Sequence, residues 1–234
     1  MGSKILKPSP LLMNGRDQFE LFDHFVSFTD AQLWTVAVVT TGTVAHEGPG
    51  RSRLKFFNTA AADAAVLATT HEIFKFTASK AIMAEANIIF TDVDTDDGHV
   101  GFGFADALAA TTMADTTGAI TATDAAMIYK LPDTTVWAFH TEINGTAVAS
   151  VSDTTAGGSS AQTLRIEIVP RSSTVLEARP YVDGVQLKTS AGVPIKHDIT
   201  LGTATDLDFG VIQKSNDAAD FTMYADWIYA GQVI

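Results

Sequence analysis

The chain has 234 residues, of which 46% are hydrophobic, so it can bury a substantial core. Its formal net charge of −12 argues against non-specific nucleic-acid binding, because a polyanion would be repelled. The absence of cysteine excludes disulfides, thiolate metal sites and cysteine nucleophiles, and no apolar run reaches the ~20 residues that a membrane-spanning helix needs.

The first 18 residues contain two prolines and no hydrophobic periodicity, so we predict an extended N-terminal arm followed by one domain over residues 19–234. The arm holds three basic residues and one acidic residue, a net charge of +2, which suits docking on an acidic partner. Four phenylalanines then recur at every third position, namely Phe19, Phe22, Phe25 and Phe28. This spacing fits a short helix or an irregular segment that places rings in a core, and the strand-forming neighbours favour the second interpretation.

Short strands dominate the rest of the chain, with turn signals between most of them. We predict strands at Leu33–Thr41, Leu54–Phe57, Glu72–Thr77, Ile82–Thr91, Val100–Ala105, Ala125–Leu131, Thr135–Ile143, Thr146–Val151, Leu164–Val169, Val175–Val182, Val185–Leu187, Leu207–Gln213 and Phe221–Tyr229. The alanine-rich segment Thr59–Ala68 is the predicted site of one or two helical turns. Loops are predicted at Ala107–Thr123, Ser152–Ser160 and Ala191–Asp198.

Two dipeptides predict tight hairpins, because their residues tolerate the positive φ of a type I′ turn. These are Asn144-Gly145 and Asp183-Gly184. The second closes a predicted meander over Leu164–Lys188, around which we expect the other strands to be added. About a dozen strands without an internal repeat or a long linker predict a β-sandwich or barrel.

Three segments resemble concanavalin A-like lectin/glucanase domains. They are FDHFVSFTDAQLW at Phe22–Trp34, the stretch LRIEIV…ARPYVDGVQL within Leu164–Lys188, and FTMYADWIY at Phe221–Tyr229. The resemblance implies an all-β fold, an antiparallel β-sandwich of jelly-roll type with the arm extending from it.

The Ala/Thr/Gly-rich loops and the leading arm are also similar to accessory virion proteins of tailed bacteriophages. This likeness implies a non-enzymatic structural protein, a capsid decoration, cement or head-fibre component on the exterior of the virion. Its partners would be the phage major capsid protein or neighbouring virion proteins, and it would form a homo-oligomer. The alternative is a carbohydrate-binding, lectin-like module or adhesin that recognises surface glycans, and a polysaccharide-cleaving enzyme is the third hypothesis.

No catalytic residue is assigned from the sequence. None of the seven glutamates begins the E-x-D-x-E or E-x-D-x-x-E strand motif of retaining glucanases. Arg165-Ile166-Glu167 matches half of the R-x-E-x-R strand of related lyases, but Val169 replaces the second arginine and no Q-I-H is present. We therefore interpret Arg165 and Glu167 as solvent-facing residues that pair across strands.

No cofactor and no metal site is assigned either. The acidic turn at Asp92, Asp94, Asp96 and Asp97 fails the EF-hand pattern, which leaves a solvated turn or a calcium site of another kind. The six histidines lack zinc-site spacing, and Gly157-Gly158-Ser159-Ser160-Ala161 is one residue away from a nucleophile elbow, with no helix after it. The three tryptophans could stack on sugars, but their strand positions favour core roles for Trp34, Trp137 and Trp227.

Overall fold

The structure is a computed structural model, and it describes residues 18–26, 28, 33–48, 51–90, 98–114, 117–130, 134–202, 206–215 and 220–233. Within these residues the chain forms seventeen strands, β1 to β17, and no helix. The strands pair antiparallel in two sheets that pack face to face. The predicted all-β antiparallel sandwich is therefore confirmed. The predicted arm lies outside the described residues, apart from Gln18, which begins β1.

Sheet A has nine strands. Their spatial order along the main path is β14 (Val185–Gln186), β13 (Val175–Val182), β12 (Gln162–Pro170), β7 (Ile82–Phe90), β17 (Phe221–Val233), β4 (Leu54–Asn58) and β3 (Thr43–His46). Two further strands extend the sheet beside this path, namely β1 (Gln18–Asp23) on β17 and β15 (His197–Thr200) on β13.

Sheet B has eight strands. Their order is β11 (Thr146–Thr155), β10 (Val136–Ile143), β9 (Ala125–Lys130), β8 (Gly98–Ala105), β16 (Asp206–Ser215), β5 (Ala64–Thr69) and β2 (Trp34–Val39), and β6 (Phe74–Lys75) also pairs with β16. The outer face of this sheet is covered by the predicted loop 107–123, whose Leu108, Met113 and Ile120 pack on Met127 and Ile212.

The core between the sheets is aromatic. The buried ring of Phe209 lies at its centre, with ring centroids 5.2 Å from Phe104, 5.7 Å from Phe102 and 5.9 Å from Phe74. Period-two alternation supplies the apolar faces, because alternate strand residues point to opposite sides of a sheet. The inward face of β12 is one example.

The four N-terminal phenylalanines divide between core and surface. Phe25 is buried and Phe28 packs against the core, as predicted for an irregular segment. Phe19 and Phe22 instead belong to β1, where their side chains are exposed. Asp23 holds the end of this strand, because its Oδ2 accepts a 2.8 Å hydrogen bond from Trp34 Nε1.

Most predicted strands are confirmed, and the predicted helical turns at Thr59–Ala68 are wrong. The second half of this segment instead belongs to β5, in which every residue is buried. Because loop 107–123 covers the outer face of sheet B, β5 is buried on both faces and lacks the polar alternation of a surface strand. The loops predicted at Ser152–Ser160 and Ala191–Asp198 are shorter than expected, since β11 continues to Thr155 and β15 begins at His197.

The hairpin dipeptides adopt the predicted conformation. Asn144 and Gly145 have φ values of 49° and 72°, and Asp183 and Gly184 have values of 51° and 79°. The position expected for the meander is wrong, however, because β12, β13 and β14 lie towards one edge of sheet A. The middle of the sheet is formed by β7 and the thirteen-residue β17, which pair with each other.

Two glycines on β8 permit the close approach of neighbouring residues. Gly103 has a φ of 145°, and a Cβ placed there would lie 2.2 Å from the Ala126 carbonyl oxygen on β9. A Cβ on Gly101 would lie 2.9 Å from the sulfur of Met113. Gly103 is therefore needed for the pairing of β8 with β9. Gly101 is needed so that Met113 can pack on the outer face of sheet B.

Candidate functional site: the outer face of sheet A

Five strands of sheet A align a row of side chains on the face that points away from the core. In register, Tyr181 lies opposite Arg165, Arg165 opposite Glu85, Glu85 opposite Tyr229, and Tyr229 opposite Phe22. We call these five residues the central row. Because neighbouring strands are about 4.8 Å apart, the row is about 19 Å long and runs across the strands.

Parallel rows flank it on both sides. On one side Asn87 lies opposite Trp227, and Asn87 Nδ2 donates a 3.1 Å hydrogen bond to Thr163 Oγ1. On the other side Glu167 lies opposite Arg179. Aromatic, amide, carboxylate and guanidinium groups thus share one continuous face.

Arg165 organises the middle of the central row. Its guanidinium stacks on the ring of Tyr181, with the central carbon 4.3 Å from the ring centroid. Its Nη1 lies 3.6 Å from Glu85 Oε1 and its Nε lies 3.3 Å from Glu167 Oε1. The predicted cross-strand pairing of Arg165 is therefore confirmed, although only 22% of its side chain is exposed.

Burial changes the protonation of the groups around Arg165. It raises the pKa of Glu85, and the nearby carboxylate of Glu167 adds to this rise, while the charge of Arg165 opposes it. Burial also raises the pKa values of Tyr181 and Tyr229, and the neighbouring carboxylates Glu167 and Glu20 respectively reinforce these shifts. Both phenols therefore remain protonated hydrogen-bond donors at neutral pH.

The β17 end of the row is aromatic. Phe22 is 55% exposed, and its ring centroid lies 6.3 Å from Trp227, 6.4 Å from Tyr229 and 4.5 Å from His24. Gly231 leaves room beside Tyr229, because a Cβ at this position would lie 2.6 Å from the Tyr229 hydroxyl oxygen. The result is a cluster of rings that is partly open to solvent.

The core role predicted for Trp227 is wrong, whereas Trp34 and Trp137 are buried as predicted. Met223 and Ala225 point into the core, and unbroken alternation would send Trp227 there too. A register shift between Ala225 and Trp227 inserts an extra residue and reverses the alternation, so that Trp227 faces outward. The burial pattern of β17 records this bulge as two adjacent half-buried residues, Asp226 and Trp227.

The acidic turn and the glycine-rich segment were the remaining candidates for metal binding and for nucleophilic catalysis. The four aspartates of the acidic turn, Asp92, Asp94, Asp96 and Asp97, lie outside the described residues. Among the residues that are described, no group of three or more metal-ligating side chains is arranged to hold an ion. The glycine-rich segment 157–161 separates two strands, with no helix after it.

A separate cleft of 340 Å³ lies where β15 meets the β10–β11 hairpin. Its lining includes Glu142, Asn144, Val148, Asp198 and Leu201. Behind it, His197 Nδ1 lies 2.9 Å from Thr141 Oγ1. The described residues that line this cleft include no aromatic side chain, and the cleft is distinct from the central row.

No protein-family model and no curated protein matches the chain. Solved structures are similar in fold. The carbohydrate recognition domain of Emp47p superposes with a TM-score of 0.61 at 11% identity, covering 93% of this chain and 98% of that one. An endo-1,3-β-glucanase from Streptomyces sioyaensis gives a TM-score of 0.58 at 13% identity, with coverages of 97% and 99%. An endo-β-1,4-glucuronan lyase from Trichoderma reesei gives 0.53 at 11%, with coverages of 92% and 95%.

At these identities the likeness concerns the fold alone. The sandwich is a jelly roll of the concanavalin A-like type found in lectins and glucanases, which confirms the predicted fold class. The three similar structures include a sugar-recognition domain and two enzymes, so they leave both activities open. Within the described residues, no helix is long and apolar enough to cross a membrane.

Proposed function

We propose that this protein is a carbohydrate-binding module and that the outer face of sheet A holds an extended glycan. The observation that carries the proposal is the central row, in which three aromatic rings, the exposed Phe22 among them, and the polar groups of Arg165 and Glu85 stand in register across five strands. Its length of about 19 Å suits several consecutive sugar rings lying across the strands.

The two kinds of group have complementary tasks. The flat faces of Phe22 and Trp227 can cover the apolar C–H face of a pyranose ring. Glu85, Asn87 and Tyr181 can exchange hydrogen bonds with its hydroxyl groups. These groups are held in place before the ligand arrives, by strand pairing and by the contacts of Arg165, which limits the ordering cost of binding.

The folds of a carbohydrate recognition domain and of a glucanase support this proposal. It develops the alternative that the sequence left open, that of a lectin-like module or adhesin.

A glycan array followed by calorimetric titration tests the proposal. The wild-type chain should bind one glycan class, and Trp227→Ala should weaken that binding about tenfold, the loss typical of a central aromatic contact. Val151→Ala is the matched control, because Val151 is 56% exposed on the edge strand of sheet B, away from the central row. An unchanged affinity in Trp227→Ala, or equal losses in both variants, would contradict the assignment of this face.

The same array with and without a chelator tests the role of calcium. Loss of glycan binding in the presence of the chelator would indicate that binding depends on a metal ion. The candidate for holding that ion is the acidic turn at Asp92, Asp94, Asp96 and Asp97. Unchanged binding would leave that turn as a solvated connection.

Glycan cleavage is a second candidate, favoured by one observation. Glu85 and Glu167 both contact Arg165 and are diagonal neighbours on adjacent strands, with Cβ atoms about 7 Å apart. Glycoside hydrolysis requires a pair of carboxyl groups that face one site, and Glu85, with its raised pKa, is suited to be the acid. Release of reducing ends from the bound glycan, abolished in Glu85→Gln and Glu167→Gln, would establish cleavage. Binding without any release would leave the protein a lectin-like module.

Attachment to a virion remains a prediction. It depends on the arm at residues 1–18, and this arm lies almost wholly outside the described residues. Deletion of residues 1–17 leaves β1 intact and tests it directly: co-sedimentation with phage particles should be lost in the deletion variant and kept in Trp227→Ala. The predicted homo-oligomer is tested by light scattering on the same two proteins.

A further inference from the structure

We infer that the glycan held on the outer face of sheet A is neutral, composed of sugars without carboxylate or sulfate groups. This inference rests on the proposed function and concerns its ligand. It follows from the charges around the central row, where each arginine is already engaged by a carboxylate.

The arginines of this face are committed to partners within the protein. Arg165 lies within ion-pair distance of two glutamates, since its Nη1 is 3.6 Å from Glu85 Oε1 and its Nε is 3.3 Å from Glu167 Oε1. Arg179 donates from Nε to Glu177 Oε1 at 2.7 Å. Arg53, which stacks on Tyr224 at 4.0 Å, donates from Nη2 to Glu47 Oε1 at 2.8 Å.

Recruiting any of these arginines for an acidic ligand would break an existing pair. A guanidinium withdrawn from a largely buried carboxylate leaves that carboxylate without compensation, which offsets the gain from a new ion pair. Lys55 is a further cation of this face, but it lies over the Phe57 ring and opposite Tyr224, beyond the central row. In the described part of the chain, the cations around the row are therefore already paired with a carboxylate or placed over a ring within the protein.

Three carboxylates lie in or beside the row, against the two guanidinium groups of Arg165 and, in the flanking row, Arg179. Glu85 and Glu167 flank Arg165, and Glu20 Oε1 accepts a 3.3 Å hydrogen bond from the Tyr229 hydroxyl. The whole chain adds to this negative field, with its net charge of −12. A uronic acid or sulfated sugar would be repelled, whereas neutral sugar hydroxyls can donate hydrogen bonds to these carboxylates.

The test uses two ligands that differ only in charge: a β-1,4-linked glucose hexamer and the corresponding glucuronic acid hexamer, with other linkages added as matched pairs. Affinities are measured by calorimetry at about 20 mM and about 500 mM salt, because the screening length shortens severalfold over this range. The wild-type protein should bind the neutral member of a pair at least about tenfold more tightly at low salt. The difference in affinity between the neutral and the acidic ligand should become smaller at high salt.

Charge-removing variants locate the effect. Glu167→Gln removes one carboxylate beside Arg165. The ratio of the affinities for the neutral and the acidic ligand should therefore fall severalfold. Glu20→Gln is the second variant, since Glu20 is exposed on β1 and its replacement leaves the contacts of Arg165 untouched. This variant should also lower the ratio of the two affinities. Asp153→Asn on sheet B should leave the ratio unchanged.

The outcomes separate the inference from the proposed function. The inference of a neutral ligand is overturned if the acidic member binds more tightly. It is also overturned if the preference for the neutral member changes neither with salt nor in the two variants. Both results leave glycan binding itself in place. Failure of every ligand pair to bind overturns the proposed function itself, and the inference with it. Preference for the neutral member that shrinks with salt and in both variants supports the inference.

Discussion

A variant without the imidazole of His197 should lose much less stability on acidification than the wild-type protein. The ring lies where β15 of sheet A meets β10 and β11 of sheet B, and only 4% of the residue is exposed. Its Nε2 lies 3.0 Å from Ser150 Oγ, and its ring packs against Phe139 with centroids 4.9 Å apart. Burial, with a smaller contribution from the charge of His140, lowers the pKa of His197 to about 4.

The sign and the size follow from that pKa. The unfolded chain, in which a histidine has a pKa near 6.5, takes up the proton between about pH 6.5 and pH 4, while the folded protein does not. The contribution of His197 to stability is therefore complete above this window and is lost as the pH falls through it. The loss is at most about 2 kcal/mol by pH 5 and about 3 kcal/mol by pH 4.

Urea unfolding at about pH 7.5, 5 and 4 measures this effect. His197→Gln keeps an amide that can hydrogen-bond Ser150 but cannot titrate, so its free energy of unfolding should fall less steeply with acid than that of the wild type. The neighbouring His140, whose pKa is lowered by burial, is present in both proteins, which is why the difference between the two curves is the informative quantity. His71→Gln, at an exposed position, is the control. Parallel curves for wild type and His197→Gln would refute the reasoning.

Three further predictions concern packing and the site. Phe209→Ala should lower the free energy of unfolding by about 3–5 kcal/mol in urea titrations, because it removes the ring at the centre of the core. Gly103→Ala should destabilise the fold by at least about 1–3 kcal/mol in the same assay, since its φ of 145° and its 2.2 Å approach to Ala126 leave no room for a methyl group. Gly231→Ala should displace Tyr229 and weaken glycan binding severalfold in calorimetry while changing the melting temperature little; unaltered affinity would exclude Tyr229 from the site.

Local sequence was sufficient for much of the fold. The hairpins at Asn144-Gly145 and Asp183-Gly184 were predictable because the positive φ of the turn depends on the two residues that occupy it. The alternation of β12 was predictable because successive side chains of any strand point to opposite faces. Alanine-rich β5 was not predictable, since its burial on both faces depends on a loop some 40 residues later in the chain.

The candidate site was predictable only in fragments. Arg165 and Tyr181 belong to consecutive strands, and the sequence alone indicated that Arg165 faces away from the core and pairs across strands. Glu85, Tyr229 and Phe22 come from three other parts of the chain, and nothing in their own surroundings indicates that they meet Arg165.

The sequence by itself therefore determined most of the strands, the all-β class and the absence of thiol chemistry, because these depend on composition and on neighbouring residues. Only the tertiary structure decided which strands became neighbours and which residue of each strand stands in register with the next. It also decided the face of Trp227, because a bulge is a property of two paired strands rather than of one. Register between strands distant in sequence is set by packing of the whole core, and the glycan-binding face we propose is a product of that register.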